Sequence, residues 1–125
     1  MPSDLPIVGV ASEISRLPLY AEWLIASQRP LELQDPFFDL ARFDTGVAAL
    51  VRQAKSYLDG YAGALGIHGP FVSLPLDAGD VRIRQVVSDR FMQALEFGAE
   101  LGVQHMVVHS PFTIFGHPLV EHTGA

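Results

Sequence analysis

The order of apolar and polar positions reads as strand, helix, strand, helix, carried on to a fourth strand. Ile7-Val8-Gly9-Val10-Ala11 is a short, wholly apolar run rich in β-branched residues. That is the composition of a parallel strand buried on both faces. Leu17, Tyr20, Trp23 and Leu24 then recur at helical spacing between Leu17 and Ser27, which sets Tyr20 and Trp23 on the core side of a helix. Pro18 is tolerable in its first turn, and Arg29-Pro30 stops it. Leu31-Glu32-Leu33 is a brief second strand, closed by Gln34-Asp35-Pro36.

From about Asp44 to Leu65, the residues Val47, Leu50, Val51, Ala54, Leu58, Tyr61, Ala62 and Leu65 form one stripe of helical period. Asp44 or Thr45 is placed to cap its start, and Gly66 to take the left-handed position after its end. A third strand follows at Ile67-His68. The Gly- and Pro-bearing stretch Gly69 to Gly79 is a loop. Asp80 is an N-cap for a helix over about Val81 to Leu101, with the stripe Ile83, Val87, Phe91, Leu95, Gly98 and Leu101, ended by Gly102. The predicted strands therefore lie near residues 7–11, 31–33, 67–68 and 103–109, with an irregular tail over 110–125.

Strict alternation of strands and helices predicts one α/β domain across residues 1–125, a parallel sheet joined by right-handed crossovers. An open sheet and part of a (β/α)₈ barrel satisfy that periodicity equally. One phrase occurs twice: Ile67-His68-Gly69-Pro70-Phe71 and Val108-His109-Ser110-Pro111-Phe112, each preceded by a Leu-Gly pair. A repeat separated by one loop, one helix and one strand is a supersecondary unit used again. It brings both histidines to the same C-terminal sheet edge, where active sites of such sheets lie.

Composition narrows the partners. Hydrophobic residues make up 49% of the chain and charged residues 18%, an ordinary globular balance. The net charge is −6 with eight Lys plus Arg, which disfavours a nucleic-acid or membrane surface as partner. Cysteine is absent, so disulfides and zinc–thiolate sites are excluded, and a reducing cytoplasmic setting is expected. The first residues show no basic start and no long apolar run, so no signal peptide is expected.

The segments His68-Gly69-Pro70-Phe71, Leu101-Gly102 through Met106-Val107-Val108-His109, and Leu31-Glu32-Leu33-Gln34-Asp35 together resemble the xylose-isomerase-like barrel superfamily. That superfamily includes sugar phosphate isomerases and epimerases and the deoxyribonuclease IV type of abasic-site endonuclease. In register, the likeness runs from Ile7 to Phe112. Such a barrel takes roughly 250 residues, so the resemblance implies the N-terminal half: four strands and three main helices. It implies a divalent metal (Mn, Mg, Co or Zn) held chiefly by Glu, Asp and His residues of later strands. His68 and His109 match two metal ligands of the endonuclease branch; in the isomerase branch the same positions line the substrate pocket, with Glu32 beside them.

For each candidate residue there is a plainer role. His68 and His109 suit Zn²⁺ or Mn²⁺, or a sugar hydroxyl, but a strand-end histidine also simply bonds a carbonyl. Two histidines alone do not make a catalytic metal site. Asp35 before Pro36 reads as a helix cap, and Glu13 as a solvated loop carboxylate, in preference to pocket acids. His105, inside the fourth strand, reads as a core histidine; His117 and His122 read as solvent-exposed, and Arg82 and Arg84 as surface charge.

The resemblance thus implies half of a metal-dependent sugar or sugar-phosphate isomerase or epimerase, inactive without its complement. An abasic-site endonuclease and a non-catalytic module are the alternatives. Half a barrel exposes sheet edges, so a homo-oligomer or a complementing C-terminal half is the expected macromolecular partner.

Overall fold

The sheet is built from very short strands, each held in register by its neighbour. A computed structural model describes residues 6–111. In chain order it contains β1 (Val10–Ser12), a 3₁₀ segment (Ile14–Leu19), α1 (Ala21–Ser27), β2 (Leu31–Leu33), α2 (Asp35–Phe38), α3 (Leu40–Thr45), α4 (Val47–Tyr57), β3 (Leu65–His68), α5 (Val81–Leu101) and β4 (His105–Val107). The four strands run parallel in the order β1-β2-β3-β4, the arrangement of half a β/α barrel.

Two rows of side chains cross this sheet. Ser12, Leu33, Ile67 and Met106 share one level, and Ala11, Glu32, Gly66 and His105 the level before it. Successive residues of a strand point to opposite faces. Leu33 and Ile67 join Leu31 in the core, which the helices close with Leu17, Leu24, Leu50, Ala54, Ala94 and Phe97. Phe43 meets Phe97 edge-on at 5.1 Å between ring centres. The row containing Glu32 and His105 lies on the opposite face.

That one-sided burial corrects the expectation that the first strand is covered on both faces. Ile7, Val8, Val107 and Val108 are exposed, because among the described residues no element covers the second face or pairs beyond β1 and β4. Register also shortens the outer strands. β2 has three residues between Pro30 and Gln34, so β1 pairs only over Val10–Ser12 instead of 7–11. β3 limits β4 to His105–Val107 in the same way, instead of 103–109. Of the predicted tail over 110–125, residues 112–125 lie outside the described residues.

The helix expected over Asp44 to Leu65 is instead the end of α3, the whole of α4, a loop and the first residue of β3. Gly46 separates α3 from α4 and takes the N-cap position of α4, so neither Asp44 nor Thr45 caps it; both belong to the end of α3, whose own start Asp39 caps by accepting the Arg42 backbone N–H at 3.3 Å. α4 ends at Tyr57, Gly60 takes positive φ (86°), and Gly66 is a strand residue instead of a left-handed terminator. Of the stripe residues beyond Tyr57, Leu58 and Tyr61 are partly buried from a loop and Leu65 from β3, while Ala62 is exposed. That loop is tied down by the Tyr61 hydroxyl, whose single proton is shared between the carbonyls of Arg29 (2.7 Å) and Ala64 (2.9 Å), and by the Gln28 amide on Gly60 and Ala62.

α5 has the predicted bounds. The Asp80 carboxylate accepts the Arg82 backbone N–H at 2.8 Å, and Gly102 adopts φ 69°. Its buried side is Val87, Ala94, Phe97 and Gly98, while Ile83 and Leu95 of the predicted stripe are exposed. Leu95 lies on a flank with no helix beside it among the described residues, so local period alone misassigned it. Tyr20 is partly buried, but Trp23 is 47% exposed, contrary to its assignment to the core.

Phe97→Ala is expected to lower the unfolding free energy by about 3–5 kcal/mol through the cavity it leaves. Trp23→Ala should cost less than about 1 kcal/mol. Urea denaturation of both variants checks this; equal losses would place Trp23 in the core after all.

Candidate functional site at the carboxyl edge of the sheet

Parallel crossovers bring the ends of β2, β3 and β4 to one edge, and aromatic side chains collect there. His68 is the last residue of β3, and His109 follows β4. Their ring centres are 5.1 Å apart and their planes inclined by 63°. Phe71, from the loop after β3, lies flat against His109 (3.5 Å, 17°) and against Phe37 (4.6 Å, 23°). Phe37 is delivered by α2, directly after the buried Asp35-Pro36 pair. The His68 ring tilts against Phe37 at 5.4 Å and Phe71 at 5.3 Å. The histidines of the two His-x-Pro-Phe phrases thus meet at one edge of the sheet, as their spacing predicted, while Phe112 of the second phrase lies outside the described residues.

His68 Nδ1 is 2.7 Å from the carbonyl oxygen of Gly69. A carbonyl only accepts, so Nδ1 carries the proton and donates. In the neutral ring, Nε2 then keeps a lone pair that can accept a hydroxyl proton or bind a cation. The plainer role and the site role therefore fall on different nitrogens of one ring.

Glu32 stands in the middle of β2 on the face opposite the core, half-buried, level with Gly66 and His105. Gln34 Nε2 donates to its Oε2 at 3.4 Å. His68 is two residues beyond Gly66 and thus shares this face, about 7 Å further along the strand direction. His105 is exposed, contrary to the expected core histidine, and its ring occupies the space over Gly66 where a β-carbon would stand. Glu32 and His105 therefore belong to one row beneath the histidine pair. For His105 the signal was available in the sequence: strand alternation places it opposite to Met106, which packs on the core.

Asp35 does not cap its own helix. It is the first residue of α2, and its Oδ2 accepts the Ile14 backbone N–H at 2.9 Å, which caps the 3₁₀ segment across the sheet edge. Burial is the main cause that raises its carboxyl to a pKa of about 6, with the nearby Glu13 adding to it and the Ile14 hydrogen bond and Arg42 opposing. Glu13 is half-buried, in place of the expected solvated position, and with Asp35, Asp39 and Arg42 it lines a small cavity of about 90 Å³.

No protein-family model, curated protein or solved structure matches this chain. The chemistry of the edge must therefore be judged from the residues themselves. Among the described residues, no three His, Asp or Glu side chains come together as a metal ion would need. His68 and His109 offer two ligands at most, short of the usual three protein ligands, so the described residues do not form a metal centre by themselves. Arg82 pairs with Asp80 at 3.4 Å and Arg84 donates to the Ala78 carbonyl, both on the surface. His117 and His122 lie outside the described residues. The edge offers the Nε2 of His68, without a hydrogen bond among the described residues, a second imidazole, stacked aromatic faces and a carboxylate one level below. Such a set can orient a polyhydroxylated molecule by hydrogen bonds and C–H contacts.

Because the Asp35 carboxyl is harder to ionise in the folded chain, the fold binds its proton more tightly than the unfolded chain does. Stability from this group is greatest below about pH 4 and falls as the pH rises towards 6, by at most about 3 kcal/mol. Asp35→Asn keeps an acceptor for Ile14 and removes the charge. Its stability should vary less between pH 4 and 7 and exceed the parent's at pH 7 by about 1–3 kcal/mol, as measured by urea titration at several pH values.

Proposed function

We propose that this chain is the N-terminal half of a cytoplasmic, divalent-metal-dependent sugar or sugar-phosphate isomerase or epimerase of the xylose-isomerase-like barrel type. The observation that supports this reading best is the approach of His68 and His109 to 5.1 Å at the carboxyl edge of four sequentially ordered parallel strands. In this reading His68 Nε2 and His109 hold substrate oxygens, Phe71 and Phe37 form the apolar wall, and Glu32 orients a hydroxyl from below. A metal held mainly by residues of later strands would polarise the substrate carbonyl and so ease proton transfer beside it. The proton-transferring carboxylates would also come from that second half, so this chain binds substrate weakly and does not turn it over.

Titration of the purified chain with ketoses and their phosphates, followed through the imidazole signals in NMR, tests the proposal. Both histidine signals should shift together. His68→Ala or His109→Ala should weaken the apparent affinity by about five- to tenfold, the loss of roughly one hydrogen bond. Unmoved imidazoles would refute the binding site, and measurable ketose turnover by the chain alone would refute its incompleteness. An abasic duplex titrated at two salt concentrations separates the endonuclease alternative. No binding is expected, since the chain carries a net charge of −6.

A further inference from the structure

Outside the sheet edge, the helical layer carries a groove between α4 and α5 with a volume of about 460 Å³. Its floor is apolar, formed by Phe43, Val47, Val51 and Phe97. Its two walls carry opposite charge: Arg52 and Lys55 on α4, Glu96 and Glu100 on α5. All four are exposed, and none has a hydrogen bond or ion pair among the described residues. The same layer does pair charges where it closes on itself. Arg90 of α5 holds Asp44 of α3 at 2.8 Å and donates to the Leu40 carbonyl.

We infer that this groove face docks a second copy of the chain, with the twofold axis running along the groove. α4 and α5 each cross back antiparallel to the sheet on its same side, so they run in the same direction. Arg52 and Lys55 line the same groove as Glu96 and Glu100, so the two charge pairs occupy overlapping heights along it. A twofold axis parallel to the helices lays α4 of one copy over α5 of the other and preserves those heights. Arg52 and Lys55 then face the partner's Glu96 and the partner's Glu100, and the reciprocal set forms on the other side. A twofold axis across the groove would instead oppose α4 to α4 and α5 to α5, like charge against like. The charge pattern thus selects one symmetry and one register.

The face is only two helices wide and α4 has 11 residues, so the area is at the small end of specific interfaces. Association is accordingly weak, with a Kd of about 10–100 µM, and it weakens with salt. This inference does not rest on the proposed sugar site, whose imidazole signals give a separate readout.

Sedimentation equilibrium of the full chain tests it, with the double variants R52E/K55E and E96K/E100K. The parent should show a monomer–dimer equilibrium, and each variant alone should dimerise at least about tenfold more weakly, because like charges now oppose. An equimolar mixture of the two variants restores opposite charge on both sides of the axis, so dimers should return near the parental affinity. Circular dichroism melting confirms that the exposed substitutions leave the fold intact. A parent that stays monomeric at about 1 mM, variants that dimerise like the parent, or a mixture that fails to recover would each overturn the inference.

Discussion

The structure depends on a single constraint: three- and four-residue strands must put every second side chain into one shared core. Leu31, Leu33 and Ile67 leave almost no surface exposed, and the core formed with Leu24, Ala54 and Phe97 supplies the burial that holds them. With strands this short, a slip of one residue would turn that set out to water and bring Glu32 in. The same alternation therefore places Glu32, Gly66, His68 and His105 on the face away from the helices.

Local chemistry then adapts the edge. The loop after β3 returns Phe71 between Phe37 and His109, and the Gly69 carbonyl settles which nitrogen of His68 carries a proton. Asp35 ties the end of β2 to the turn after β1 at the cost of holding a carboxylate in a poorly hydrated place. That tie anchors α2, and α2 carries Phe37 into the ring cluster. Stability and site geometry thus meet at one buried hydrogen bond.

The helical layer shows the opposite economy. α5 buries Val87, Ala94, Phe97 and Gly98 against the sheet and α4, and leaves Met92 and Leu95 exposed on its far flank. Gly98 stands where a β-carbon would crowd Val103 and Ile67, so α5 lies close to the sheet at that point. Between α4 and α5 lies the charged groove, floored by Phe43, Val51 and Phe97.

Sequence alone determined the order of the four strands and of the three main helices between them, the bounds and caps of α5, and the meeting of His68 with His109. Each of these follows from local period, capping chemistry or crossover handedness, all encoded within a few residues. Tertiary structure decided the end of α4, because the loop carrying Tyr61 is held by Gln28 and Arg29 from a distant turn, and its apolar spacing imitates one more helical turn. It decided that Asp35 serves Ile14 and not its own helix, and that Trp23 and Leu95 meet solvent. Those outcomes depend on which neighbour arrives beside a side chain, and periodicity along the chain carries no record of that.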